Sequence, residues 1–189
     1  KPKAILLSTE DFIHKFYTKR PSFTTLSFLM FDHLGGINTL FHALFNKGTI
    51  IVPLSRSIEH IFDLISKYKI EVLPTTPTFL RMLILSGKIS SLIPDCLKII
   101  SYGTERMDQQ TLNVLCEKLP NIDFRQTYGL TELGVFRVKS ESRNSLFMKI
   151  GGEGVQTKIE KNILFIKNKN GMLGYLNAGS PFDEEGWYN

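Results

Sequence analysis

The residues Gln126-Thr127-Tyr128-Gly129-Leu130-Thr131-Glu132-Leu133-Gly134 gather an aromatic ring, hydroxyls and a carboxylate between glycines. Each type has a use beside a nucleotide. Tyr128 offers a flat apolar face to a base, Thr131 offers a hydroxyl, and Glu132 supplies an anion able to hold a hard cation such as Mg2+. The glycines let the backbone approach a ligand closely. A second cluster, Gly103-Thr104-Glu105, closes the apolar run 97–102 in the same way. Two such strand ends side by side would form opposite walls of one crevice. Residue types alone leave a second reading open, in which each cluster is a strand closing in a glycine turn.

Positioning these residues requires a sheet, and the pattern supplies one. Strand-like runs fall at 49–53, 71–75, 97–102 and 122–127. Between them Ile58, Ile61, Phe62, Ile65 and Tyr68 recur at helical spacing, as do Phe79, Leu80, Leu83 and Ile84, then Leu112, Leu115 and Leu119. Ser57 and Asp108 stand where helix N-caps belong, and a further helix is expected over 34–45. Strands returning with a helix between them make right-handed βαβ units, hence a largely parallel sheet flanked by helices. Open sheets of this kind bind ligands at the carboxyl ends of their strands, where both clusters would lie. After Asn144 closely spaced strands replace the helices, at 146–150, 155–160, 163–167 and 172–176, with Gly-Gly, Lys-Asn and Asn-Gly turns between them. The fold class is therefore α/β over 1–143, followed by a smaller antiparallel β subdomain over 144–189.

Composition narrows the rest. The 189 residues, 42% of them hydrophobic, suit one sizeable core. The net charge of +5 is spread along the chain, with one loose cluster at Lys158, Lys161, Lys167 and Lys169, so no nucleic-acid partner is expected. No apolar run reaches the roughly 20 residues of a membrane span. Cys96 and Cys116 read as packed thiols, not as a metal pair or a disulfide, which favours a reducing, cytoplasmic setting. His14, His42 and His60 lie on helical segments without partners at ligand spacing. Phe41, Phe45 and Phe79 read as core, and Thr75-Thr76-Pro77-Thr78 as a strand leading into a proline-started helix as readily as a phosphate site. The chain opens on Lys1 and closes on Gly186-Trp187-Tyr188-Asn189 without a cap or polar tail, so a piece of a longer polypeptide is expected.

Several segments together carry a resemblance. The stretch 126–134 is similar to the Tyr-Gly-x-Thr-Glu signature of the adenylate-forming superfamily, the acyl- and aryl-CoA synthetases, peptide adenylation domains and beetle luciferases. Lys1-Pro2-Lys3-Ala4 resembles the end of that family's phosphate loop, with Ala4 where a glycine is usual. Phe31-Asp32-His33-Leu34-Gly35-Gly36 looks like the segment beside the acyl pocket. Gly103-Thr104-Glu105 is similar to a Gly-Gly-Glu segment, with Thr104 in place of the second glycine. Gly174-Tyr175-Leu176, then Phe182 and Gly186-Trp187-Tyr188, resemble the block before the family's Thr-Gly-Asp.

The resemblance implies a fragment of a larger AMP-binding domain from a ligase that joins a carboxylic acid to ATP as an acyl-adenylate, then passes the acyl group to the thiol of CoA or a carrier pantetheine. Tyr128 would stack on adenine. Gly103, Thr104, Glu105, Gln126, Thr127 and Gly129 would line the nucleotide slot, and Lys3 would meet the pyrophosphate. Thr131 would touch the α-phosphate, and Glu132 would help bind Mg2+. His33 would border the acid pocket of an acyl or aryl enzyme, and a fatty acid is one expected substrate class. Asp32 keeps an alternative open, an amino-acid adenylation domain serving a carrier protein, because an aspartate there could pair with an ammonium group. A non-catalytic nucleotide-binding or interaction module is the reading from another class. The start of the phosphate loop, the ribose-binding aspartate and the mobile carboxyl-terminal domain would lie outside these residues, so the fragment alone is expected to be inactive.

Overall fold

The computed structural model describes residues 2–189, with Ser90 described in its backbone alone. The elements in chain order are β1 (Ile5–Leu6), α1 (Thr9–His14), β2 (Thr24–Leu26), α2 (Leu34–Phe45), β3 (Thr49–Ile51), α3 (Ile58–Tyr68), β4 (Val72–Thr75), α4 (Pro77–Leu85), α5 (Ile89–Leu92), β5 (Ile99–Tyr102), α6 (Gln109–Lys118) and β6 (Asp123–Gln126). Short strands follow: β7 (Gly129–Leu130), β8 (Gly134–Val135), β9 (Arg137–Ser140), β10 (Met148–Gly151), β11 (Val155–Glu160), β12 (Ile163–Asn168) and β13 (Gly174–Tyr175).

Five strands form one parallel sheet in the order β3-β2-β4-β5-β6. Leu73, Ile100 and Phe124 are register partners across it, and with Leu26 they make an apolar row. Ile61, Phe62 and Ile65 of α3, Phe79, Leu80 and Leu83 of α4, and Leu112 and Leu115 of α6 belong to the same buried core. Each helix starts where its sequence provides a cap. Ser57, Thr76 and Asp108 accept the amides of His60, Phe79 and Thr111, and Pro77 opens α4, where a missing N–H costs nothing.

The strand order has a functional consequence. From β2 the chain crosses through α2 to β3 on one side, then returns past β2 to β4 and continues outward through β5 to β6. Right-handed crossovers put α2 on the opposite sheet face from α3, α4 and α6. The loops leaving β2 and β4 therefore diverge, opening a crevice at their carboxyl ends.

The expected helix over 34–45 and the four expected strands are present, most of them a residue or two shorter. Several elements were not anticipated, among them β1, α5, β7, β8 and β9 as well as β2 and α1. β2 has three residues, two of them threonine, too short to show alternation, and its place between β3 and β4 is fixed by tertiary pairing. α1, capped by Ser8, is a single short amphipathic turn and a half whose Phe12, with Phe16 just past its end, joins Phe41 and Phe45 in an aromatic cluster. Phe79 is in the core as expected, 4% exposed.

The later residues form antiparallel pairs: β7 with β8, β9 with β10, and β11 with β12. The β9–β10 pair straddles residues 143 and 144. β1 pairs with β13 and so joins the two extremes of the described chain, Ile5 opposite Tyr175 and Leu6 opposite Gly174. Leu133, Phe136 and Ile166 make a second small core. Cys96 and Cys116 are unbridged and half-buried, and burial pushes the Cys116 thiol up. Among the described residues no helix is long and apolar enough to cross a membrane.

Candidate functional site at the carboxyl edge of the sheet

The strand β5 runs into Tyr102, which is buried, and burial pushes its phenol up to about 12. Gly103 follows because nothing larger fits. A Cβ built there would lie 2.1 Å from Thr127 Oγ1 and 2.9 Å from the Thr127 carbonyl oxygen. Thr127 in turn donates both its amide, at 2.8 Å, and its hydroxyl, at 3.0 Å, to the Tyr102 carbonyl. The two expected glycine turns are thus bonded to one another. Thr104 adopts φ 67°, a left-handed conformation that is strained for a β-branched side chain. That conformation gives the physical reason a glycine would suit this position. Glu105 turns its carboxylate toward the start of α4, where Oε2 accepts the Thr78 amide at 3.1 Å and the Thr78 hydroxyl, with Arg81 at 3.6 Å. An anion at a helix N-terminus is well placed electrostatically.

After β6 the motif folds into a tight hairpin. β7 and β8 pair, the Leu133 amide donates to the Leu130 carbonyl at 3.2 Å, and Thr131 and Glu132 occupy the corner between them. Gly134 has φ 85°, which a glycine adopts at no steric cost. A side chain on Gly129 would meet the Gly134 carbonyl oxygen at 2.7 Å. Leu133 is fully buried and anchors the turn, while Thr131 is exposed. Tyr128 is half-buried and stacks on Phe136, with ring centroids 6.0 Å apart at 19°. Gln126 has a buried side-chain oxygen without a hydrogen-bond partner among the described residues.

This hairpin is held from the β part of the molecule. The Met172 amide donates to the Glu132 carbonyl at 2.7 Å, and Asn168 Nδ2 to the Leu133 carbonyl at 2.6 Å. Tyr175 Oη donates to Glu132 Oε1 at 2.5 Å, and that bond is the main reason its phenol is pushed up to about 12. Lys3 Nζ lies over the Tyr175 ring, 4.9 Å from its centroid. Asn177 fixes the backbone on either side of Lys3, accepting the Ala4 amide at 2.8 Å and donating to the Pro2 carbonyl at 3.0 Å. Lys3 and Glu132, far apart in sequence, are therefore brought together at Tyr175. Lys1 lies outside the described residues.

Asp32 and His33 follow β2, at the diverging loops. His33 is the N-cap of α2, its Nδ1 accepting the Gly35 amide at 3.0 Å, so its ring proton sits on Nε2. Gly36 is required by a close chain crossing, since a Cβ would lie 2.0 Å from the Met30 carbonyl oxygen. Asp32 is exposed and forms no ion pair among the described residues.

A cavity of about 810 Å³ opens beside the hairpin, with Gln126 and Thr127 in its wall along with Lys15, Arg20, His42 and Arg137. The other candidate residues lie outside it, so it is not the crevice that the two glycine turns define. Burial, with Arg20 and Lys15 nearby, pushes His42 down to about 4, and burial beside Arg20 pushes Lys15 down to about 8. Tyr175, Asn177 and Asn168 were given no role by sequence reasoning. Their partners are more than 30 positions away, and only the pairing of β1 with β13 and the return of β12 beneath the hairpin reveal them.

No three potential metal-ligating side chains cluster among the described residues. Mg2+ is compatible with that, because it commonly takes one or two carboxylates together with substrate phosphates. Glu132 has one oxygen on Tyr175 and no protein partner on the other among the described residues, which suits such a role.

The fold and this edge define a class, an open α/β sheet whose strand ends and glycine turns suit a nucleotide. The profile of the family described as AMP-binding enzyme matches residues 1–160, and the chain belongs to that family. Among curated proteins it is 25% identical over 179 residues to 4-coumarate-CoA ligase 1 of Narcissus pseudonarcissus, covering 82% of this chain and 33% of that protein. It is 24% identical over 207 residues to bacitracin synthase 2 of Bacillus licheniformis, covering 100% of this chain and 8% of that protein. The chain spans about a third of the length of the coumarate ligases it matches. Among solved structures, the o-succinylbenzoate CoA synthetase of Bacillus subtilis, in complex with its acyl-adenylate intermediate, superposes with a TM-score of 0.77 at 17% identity, over 100% of this chain and 43% of that one. The luciferase-like enzyme of Zophobas morio does so with a TM-score of 0.74 at 18% identity, over 100% and 50%.

Proposed function

We propose that these residues form the nucleotide- and acid-binding part of an AMP-forming acid–thiol ligase. The observation that carries the reading is the meeting of Lys3 and Glu132 beside the corner that also presents Thr131. A carboxylate is a poor electrophile. Attack of its oxygen on the α-phosphorus of ATP makes an acyl-adenylate and expels pyrophosphate, and a thiol, of CoA or a carrier arm, then displaces AMP. The protein's task is to hold two anions together and offset charge on the transferring phosphoryl group. In this reading Tyr128 stacks on the base, Gly129, Gln126 and Thr127 border it, and the Gly103–Glu105 loop forms the facing wall. The Glu105 carboxylate serves that wall by tying it to α4. Thr131 would donate to the α-phosphate, Lys3 would neutralise the pyrophosphate portion, and Glu132 would hold Mg2+, which would offset charge on the phosphates.

His33, at the diverging loops, borders the acid, with Nε2–H as a donor to the substrate carboxylate. The relatives' names specify 4-coumarate and o-succinylbenzoate, which favours an aryl acid; they lend no support to a fatty acid. A second reading, amino-acid activation for a carrier protein, is favoured by the match to bacitracin synthase 2 and by an exposed Asp32 able to meet an ammonium. AMP binding tests the nucleotide half directly. Replacing Tyr128 with Ala is expected to weaken it by about 1–3 kcal/mol, the worth of one base–aromatic stack; equal affinity in calorimetry would remove Tyr128 from the slot.

A further inference from the structure

We propose that Tyr175 is a positioning residue that holds Glu132 and Lys3 in register for one Mg2+–triphosphate ligand. The inference rests on the function proposed above and assigns a residue to which that function gave no part.

Both polar features of the tyrosine are in use. Its hydroxyl donates to Glu132 Oε1 at 2.5 Å, and its ring face lies 4.9 Å from the Lys3 ammonium. Lys3 and Glu132 form no ion pair with each other among the described residues. Opposite charges this close to one residue would otherwise attract strongly at the effective dielectric of a protein surface. A collapsed pair would spend on itself the charges that a cation and a phosphate need. The phenol satisfies one carboxylate oxygen with a neutral donor and leaves the other to accept a cation. The aromatic face steadies the ammonium without neutralising it.

The residue is itself well fixed. Tyr175 pairs with Ile5 in the β1–β13 ladder, and the amides of Leu173 and Leu176 donate to the carbonyls of Leu6 and Ala4 at 2.8 and 2.9 Å. Asn177 clamps Pro2 and Ala4 on either side of Lys3. The Met172 amide, from the same strand region, holds the Glu132 carbonyl. One segment, 172–177, thus sets the position of both charged groups. Partners that orient a metal-binding carboxylate commonly affect metal affinity 10- to 100-fold.

The test uses Mn2+ with ATP, bound to the intact native polypeptide and followed by electron paramagnetic resonance, beside AMP binding without metal. Tyr175→Phe keeps the ring under Lys3 and removes only the hydroxyl. It is expected to weaken Mn2+ binding in the ternary complex about tenfold while AMP affinity changes less than twofold. In a Glu132→Gln background the same change should have no further effect. Unaltered Mn2+ binding in Tyr175→Phe, or an equal loss in the Glu132→Gln background, overturns the inference. Equal losses of Mn2+ and AMP binding would mark Tyr175 as merely structural and also overturn it. A wild-type protein that binds neither AMP nor Mn2+–ATP would instead overturn the proposed function itself.

Discussion

The two glycine turns at the carboxyl edge look alike in sequence and behave differently in the fold. The loop after β5 is closed by its own α/β neighbours: Gly103 is pressed on Thr127, and Glu105 is bound to Thr78 and Arg81 of α4. The hairpin after β6 is supported from beneath by Met172, Asn168 and Tyr175 and leaves Thr131 and Glu132 at its corner. A glycine turn that closes in Thr-Glu therefore does not fix what its carboxylate does. In the first turn the acid joins two elements; in the second it is held at an open corner by residues from elsewhere, with one oxygen on Tyr175.

Exchanging the two acids for amides tests that contrast with the largest expected effect. Glu132→Gln should lower adenylation at limiting Mg2+ on the order of 100-fold, the scale of losing one charge-stabilising group. Glu105→Gln should cost about 1 kcal/mol of stability through its weakened hydrogen bonds and lower the rate much less. Comparable rate losses, measured by pyrophosphate exchange, would erase the distinction. Gly103→Ala follows, expected to destabilise the fold by about 1–3 kcal/mol in denaturant titration, because its Cβ overlaps both the side chain and the backbone of Thr127. A neutral result would mean that the two turns do not touch.

Thr104→Gly should act in the opposite direction. The left-handed conformation costs an ordinary residue roughly 1–2 kcal/mol, and glycine's greater unfolded-state freedom returns about 0.5–1, leaving a gain of under about 1.5 kcal/mol. A pH-dependent effect belongs to the cavity beyond the hairpin. His42 is pushed down to about 4 in the fold, whereas an unfolded histidine titrates near its ordinary 6.5. Its contribution to stability is therefore complete above about 6.5 and lost as pH falls toward 4, where the unfolded chain binds the extra proton. His42→Gln should flatten the stability curve across that window; an unchanged slope would show that the ring is not held neutral.

Much of this architecture was legible. Helical spacing and capping residues announced α2, α3, α4 and α6, and Thr76-Pro77 marked the start of α4, because these signals are local. β2 was not legible, since three residues with two threonines carry no period and take their place from both neighbours. Neither was β9, whose partner lies across a loop. Tyr128, Thr131 and Glu132 could be singled out by type and spacing alone. Their support could not, since Tyr175 meets Glu132 at a separation of 43 residues and Lys3 only through the closing of β1 on β13. The partners of Glu105 were not legible either, because nothing near it in sequence discloses Thr78 and Arg81.

The central claim is adenylation of a carboxylic acid at this edge. Its most direct test is acid-dependent exchange of labelled pyrophosphate into ATP by the intact native polypeptide, with aryl, fatty and amino acids offered in turn. Mg2+-dependent exchange with an aryl acid, lost in Glu132→Gln, is the expected result. Exchange with amino acids alone would transfer the pocket to Asp32, and no exchange with any acid by a protein that binds AMP normally would contradict the claim.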